Sequence, residues 1–193
     1  MRYPLVSCVV VSNRPELKDE IVTIITNQNY PNIETIYHST VGSKLTLGEE
    51  RNIAISKCTG EYVAIFDDDD YSTPSRISTQ MGWLQRHNAD VCSLSRVTLK
   101  LLNGSEIESH WRYYWEGTIL CRLEILKRFP YKKRNNKEDS NIAYLWRDTK
   151  NISIDSPHLY TYNQTLSNTS GTNHWDDMVK RARNAKIMSN GGN

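Results

Sequence analysis

Short runs of β-branched and apolar residues alternate with helix-patterned stretches through residues 1–95, and that alternation leaves few folds open. "LVSCVVV" (5–11) reads as a strand buried on both faces. "NRP" breaks it. "ELKDEIVTIITNQ" then sets Leu17, Ile21, Ile24 and Ile25 at helical spacing, with acidic residues in the early turns. After the turn "NYPN" comes a second strand, "IETIYH" (33–38). "LGEERNIAISKCTG" is expected to be a helix closed by Gly60 in the C′ position. "YVAIF" (62–66) is a third buried strand, "STPSRISTQMGWLQRHN" a helix capped by Ser72 or Thr73 with Pro74 in its first turn, and "DVCSLS" a fourth strand.

A β-α-β-α-β-α-β order predicts a parallel sheet with helices on both faces and right-handed crossovers. Ligands of such sheets bind outside the carboxyl ends of the strands. Three loops are therefore singled out: Ser12 to Pro15, His38 to Leu47, and Asp67 to Thr73. The second half is less regular. "RVTLKLLNGSEIESHWRYY" reads as β-structure with an Asn103-Gly104 turn, "RLEILKRF" and "KEDSNIAYLWRD" as short helices, "NISI" and "HLYTYN" as short strands, and "HWDDMVKRARNAKIM" as a terminal helix. One domain over residues 1–188 is expected, with a nucleotide-type half at 1–95, a more irregular half at 96–188, and a frayed tail at 189–193.

The bulk numbers exclude several classes. With 24% charged and 38% hydrophobic residues, the chain is expected to fold rather than to be disordered. A formal net charge of +2 suggests neither nucleic acid nor a membrane surface as partner. The cluster "KRFPYKKRNNK" (127–137) reads as a solvated loop. No apolar run approaches a membrane span, and "MRYPLVSCVVVSN" lacks the features of a signal peptide. Cys8, Cys58, Cys92 and Cys121 show no C-x-x-C spacing and are read as buried thiols of a cytoplasmic protein.

Where the third strand ends stands "FDDDDYSTP". Four adjacent carboxylates, Asp67 to Asp70, repel one another unless a cation or helix amides offset the charge. In an extended stretch Asp67 and Asp69 share one face, while Asp68 and Asp70 point away and serve to cap the next helix. Hard divalent cations take one or two such carboxylates together with substrate phosphates. The one-residue shift, in which Asp68 and Asp70 hold the cation, stays open.

These segments carry a resemblance. "GEYVAIFDDDDYSTP", "NRPELKDEIVTIITNQNYPNIE" and "LGEERNIAISKCTG" resemble, in order and spacing, the family-two glycosyltransferases of the GT-A fold. The resemblance implies a metal-dependent, inverting transfer of a sugar from a nucleotide-sugar, UDP-linked by preference, to a glycan or other hydroxyl acceptor. Carried over, Asp69 and Asp67 hold Mn²⁺ or Mg²⁺ on the donor diphosphate, with Asp67 also beside the ribose. Asp68 belongs to the same donor group, and Asp70 supports the metal through water. Ser12 and Asn13 lie where the family's first loop touches the base. Arg51 either points to the diphosphate or pairs with Glu49 or Glu50.

"NNKEDSNIAYLWR" is similar to the family's "ED" motif, which makes Asp139 the catalytic base and Glu138 its positioner. Trp111, Tyr113, Tyr114 and Trp115 in "HWRYYWEGTIL" fit an acceptor wall of flat rings. "TSGTNHWDD" resembles a late segment whose histidine completes the metal site. Ser170 occupies that position here, and His174, four residues on, is the substitute. The family's aspartate pair after the second strand is replaced by "YHSTVGS", so His38 or Ser39 is expected to meet the base. These two departures also allow a non-catalytic nucleotide-sugar or glycan-binding module on the same fold.

Overall fold

The computed structural model describes residues 2–110, 112, 114–135, 138, 147–165 and 172–190. Among these residues ten strands and five α-helices follow in the order β1 (Val6–Ser12), α1 (Lys18–Thr26), β2 (Ile33–Ser39), α2 (Leu47–Ser56), β3 (Tyr62–Phe66), β4 (Tyr71–Ser72), α3 (Arg76–His87), β5 (Val91–Leu94), β6 (Thr98–Lys100), β7 (Glu106–Glu108), β8 (Leu120–Arg122), α4 (Leu123–Arg128), β9 (Asn151–Ile154), β10 (Tyr160–Asn163) and α5 (Thr172–Asn190). The main sheet runs β2-β1-β3-β8-β5-β9, and a smaller one runs β4-β10-β6-β7.

The main sheet is parallel except at one place. β2, β1 and β3 pair in parallel, as do β5 and β9, but β8 is antiparallel to both β3 and β5. The fourth strand of the sequence pattern, β5, is therefore not the neighbour of β3. The segment "LCR" slips between them, and nothing in its own three residues announces that place.

Period-two alternation divides the core. Val6, Cys8 and Val10 of β1, with Tyr62, Ala64 and Phe66 of β3, face Ile21, Ile25, Ile77, Met81 and Leu84 of α1 and α3. Val9, Val63 and Ile65 face the opposite way, against Ala54 and Ile55 of α2 and Leu126 of α4. This two-sided burial is why these strands read as unbroken apolar runs.

Two helix boundaries differ from the sequence reading. α2 starts in a capping box: Thr46 Oγ1 accepts from Glu49 N–H, and the Glu49 carboxylate accepts from Thr46 N–H. It ends at Ser56, so Gly60 is not its C′ residue. Gly60 instead lets two backbones approach. A Cβ there would stand 2.6 Å from Ser7 Oγ and 2.8 Å from the Leu5 carbonyl, and its own N–H donates to Ser7 Oγ at 2.9 Å. α3 begins at Arg76 with Ser75 in the cap position, because Ser72 is taken into β4 and the Thr73 N–H bonds the Leu159 carbonyl. Lys132, Lys133 and Arg134 of the basic cluster are exposed, and the Arg134 carbonyl accepts from Gly48 N–H at the start of α2. No helix among the described residues is long and apolar enough to cross a membrane.

Candidate active site

The carboxyl ends of β1 and β3, with the loop after β2, open onto one cavity of about 970 Å³. Ser12 to Arg14, residues from Thr40 to Leu47, and Asp67 to Asp70 all line it, so the three loops singled out from the sequence converge. The second half closes it with Trp115, Glu116, Glu138, Tyr160, Tyr162 and His174. Among the described residues, seven carboxylates and three guanidiniums line this space.

The four aspartates form a turn, not an extended segment: Asp70 N–H reaches back to the Asp67 carbonyl at 3.5 Å. The alternation assumed for them is lost, and each carboxylate goes where its own partners lie. Asp68 is gripped by Arg14, whose Nε donates at 3.1 Å, and by the Ser12 hydroxyl. Asp69 stands 3.1 Å from the same guanidinium. Burial pushes the Asp69 carboxyl above its ordinary pKa, and the charges of Asp67 and Asp68 add to that against Arg14. Asp70 turns inward and is 4% exposed. Tyr160 Oη donates to it at 2.5 Å and Asn163 N–H at 2.8 Å, both from β10. Neither Asp68 nor Asp70 caps α3.

Burial, then Asp67 and Asp69, hold the Asp70 carboxyl well above the usual range. Burial, then Asp70 and Asp67, likewise keep Tyr160 protonated, so it stays a donor. Among the described residues the contacts of the Asp67 carboxylate are long, 3.4 Å to Arg51 and 3.4 Å to Tyr160 Oη.

Arg51 pairs with neither Glu49 nor Glu50. Its guanidinium donates to Glu116 at 2.5 Å, stands 3.3 Å from Glu138, and lies over the Tyr131 ring at 5.1 Å. Burial opposes its charge, but Glu116, Tyr131, Asp67 and Glu138 outweigh that and raise its pKa. Glu49 is spent in the capping box. Glu50 accepts from Ser43 Oγ and pairs with His38 Nε2 at 2.5 Å. His38 Nδ1 faces Lys57 Nζ at 2.9 Å, so both ring nitrogens are engaged and His38 backs Glu50 rather than lining the cavity.

Trp115 is buried at 8% exposure, donates through Nε1 to the Ser95 carbonyl at 3.2 Å, and presents part of its surface to the cavity under Arg112. His174 reaches the cavity from α5, and burial followed by Arg112 lowers its pKa. Trp111, Tyr113, Asp139 and Ser170 lie outside the described residues.

Sequence reasoning passed over Arg14, Glu116 and Tyr160. A cation in a loop opposite an acidic run was a readable signal for Arg14. Glu116 and Tyr160 had none, because only folding brings them to Arg51 and Asp70.

Gly117 sits under the site. A Cβ there would stand 2.6 Å from Tyr160 Oη and closer to Asp67 Oδ2. Gly117→Ala is expected to destabilise by about 1–3 kcal/mol and to move Asp67. Melting and donor titration measured on the same variant check both effects.

The family model for glycosyl transferase family 2 matches residues 2–154. The chain belongs to that family. Its members' GT-A fold is seen again in solved structures. TarS from S. aureus, in complex with UDP-GlcNAc, superposes with a TM-score of 0.65 at 15% identity, over 84% of this chain and 59% of that one. The mannosyltransferase PcManGT from Pyrobaculum calidifontis, in complex with GDP-Man and Mn²⁺, gives 0.61 at 14%, over 97% and 65%. A longer TarS structure is covered over 36% of its length, so this family-two chain spans between about a third and two thirds of these neighbours. No curated protein matches it in sequence.

Proposed function

We propose that this family-two domain transfers a sugar from a nucleoside-diphosphate donor, UDP-linked by preference, to the hydroxyl of a glycan or similar acceptor, with inversion and with help from Mn²⁺ or Mg²⁺. The observation that carries the reading is the charge of the cavity. Among the described residues its carboxylates outnumber its guanidiniums by seven to three, at the strand ends where such sheets bind ligands. A diphosphate entering that wall is repelled unless a divalent cation comes with it.

The donor set fits such a cation. Among the described residues no group of three or more His, Cys, Asp or Glu side chains is arranged as a complete cage. Mg²⁺ and Mn²⁺ do not require one, because substrate phosphates and water complete the shell. Asp70 is held by β10 and Asp68 by Arg14 and Ser12. That favours as the protein ligands Asp67, whose contacts are 3.4 Å long, and Asp69, which shares Arg14 with Asp68 and would exchange that pairing for the cation, with His174 within the same cavity. When bound, the cation would supply Lewis-acid stabilisation of the departing diphosphate.

The chain's own residues do the rest. Ser12 and Asn13, which line the cavity, are assigned to the donor, and Trp115, which also lines it, to the acceptor wall; Trp111 and Tyr113 are assigned to that wall from the family resemblance alone. The acceptor oxygen attacks the anomeric carbon as the bond to the diphosphate oxygen breaks. Its proton passes to Asp139, which Glu138 orients. Residues 1–95 serve the donor and 96–188 the acceptor. Four free, buried cysteines suit a reducing compartment, so we place the protein in the cytoplasm.

Melting measured with a panel of nucleoside-diphosphate sugars tests this. With Mn²⁺, the right donor at 100 times its Kd is expected to stabilise by about 2.7 kcal/mol, and a chelator is expected to remove the effect. If no donor stabilises, the reading fails. If one stabilises but is neither transferred nor hydrolysed, the domain is a binding module.

A further inference from the structure

We infer that the acceptor is a linear polyanionic glycan, held by the basic segment 127–134 that runs along α2 to the rim of the cavity; this rests on the glycosyltransferase reading above. The charge of the segment is the first reason. Lys127, Arg128, Lys132, Lys133 and Arg134 are all exposed, and no acidic residue stands between Glu124 and Glu138 to offset them. Lys133 stands 3.9 Å from Glu49, with 80% of its side chain exposed, and the Glu49 carboxylate is already engaged in the capping box.

The second reason is the course of the segment. Its Lys127 end lies beside Cys58, just past the end of α2: burial raises the Cys58 pKa, and the Lys127 charge works against that. Its other end meets the start of α2. There the Arg134 carbonyl accepts from Gly48 N–H at 3.2 Å, and Asn135 Oδ1 accepts from Leu47 N–H at 2.9 Å. The ten residues of α2 span about 15 Å between these ends. Cations spread over that distance match a chain of repeated charges better than one phosphate. Asn135 and Glu138 line the cavity, so the track ends where the acceptor hydroxyl has to enter.

The third reason is that the backbone of the segment is fixed. Tyr131 is buried, its N–H donates to Asn52 Oδ1 at 2.9 Å, and its carbonyl accepts from Asn52 Nδ2 at 2.9 Å. Lys132 N–H donates to the Glu138 carbonyl at 3.0 Å, and a Cβ on Gly48 would strike the Lys132 carbonyl. A backbone held in this way presents its lysines with less ordering left to do on binding. The cavity itself is rich in carboxylates and repels the charges of such a chain. It therefore admits a terminal hydroxyl while the track holds the charged units behind it.

Fluorescence anisotropy tests this with labelled oligogalacturonate, which carries carboxylates, labelled inorganic polyphosphate, and neutral dextran as reference. Divalent cations are left out, since they cross-link both polyanions. The wild-type protein is expected to bind at least one polyanion about tenfold tighter than dextran, with an affinity that falls as salt rises. The triple variant Lys127→Gln, Lys132→Gln, Lys133→Gln is expected to lose about tenfold, because each exposed pairing is worth about two- to threefold. A control with Lys18→Gln, Lys100→Gln and Lys180→Gln removes the same charge from α1, β6 and α5 and is expected to keep its affinity. Stabilisation by the nucleotide-sugar with Mn²⁺ is expected to be the same in all three proteins. Equal loss in the control, or a wild-type protein that prefers neither polyanion to dextran, overturns the inference and leaves the glycosyltransferase reading standing. So does tighter binding to phosphatidylglycerol vesicles that the triple variant loses, which assigns the segment to a membrane surface. A wild-type protein that no nucleotide-sugar stabilises overturns that reading itself, and the inference with it.

Discussion

Asp69→Ala is expected to lower sugar transfer by about 10²–10³-fold and to abolish Mn²⁺-dependent donor binding, with little change in melting temperature. The two halves of this expectation have one cause. Asp69 is a half-buried carboxylate whose burial, with the charges of Asp67 and Asp68, outweighs the attraction of Arg14, so its charge is unfavourable without a cation. The sign for stability follows. Its folded pKa is raised, so the fold binds the proton more tightly than the unfolded chain does. The associated stability is complete below the unfolded value of about 4 and is lost as pH rises through the folded pKa. At neutral pH alanine therefore removes a repulsive charge and costs little. Melting of wild type and variant, with and without Mn²⁺, reads stability, and a radiolabelled-sugar transfer assay reads rate. A variant that transfers at the wild-type rate would remove Asp69 from the metal site.

The largest effect on stability is expected at Arg76. It is fully buried, and its hydrogen bonds among the described residues go to carbonyls, a hydroxyl and an amide rather than to a carboxylate. Its guanidinium donates to the Ile65 carbonyl at 2.8 Å, the Gly117 carbonyl at 3.1 Å, Ser72 Oγ at 3.0 Å and Gln80 Oε1 at 3.2 Å. It also lies over the Phe66 ring at 4.4 Å. Burial lowers its pKa, and the rings and acceptors around it keep a site for the cation. Arg76→Ala leaves four acceptors without this donor and a void behind the aspartate turn. A loss of about 3–5 kcal/mol is expected in chemical denaturation. Arg76→Lys restores the charge but not the planar fork, so a substantial part of the loss is expected to persist. If lysine restores full stability, the charge and not the bonding geometry is what matters there.

Much of the fold was legible along the chain. The strands β1, β2 and β3 and the helices between them are written in local patterns: apolar runs for strands buried on both faces, and apolar spacing near three and four for helices packed on one. Their parallel alternation also placed the three loops at one end of the sheet, and those loops do line one cavity. The boundaries were less legible. Gly60 and Ser72 read as helix punctuation but serve contacts with Ser7 and β10, partners distant in sequence. β8 carries only three residues, and its antiparallel insertion depends on the strands already beside it.

By itself, the sequence determined the layered α/β fold, the family, and the place where the acidic run emerges. Those follow from periodicity and order, which act over a few residues at a time. Only the tertiary structure decided what each charge does. Asp70 answers to Tyr160 and Asn163, which follow it by 90 and 93 positions, and Arg51 to Glu116, 65 positions on. His38 is drawn to Glu50 instead of opening to the cavity. Coulomb attraction and desolvation depend on distance in space and on burial. Four identical aspartates in a row therefore acquire four different environments once the chain has closed around them.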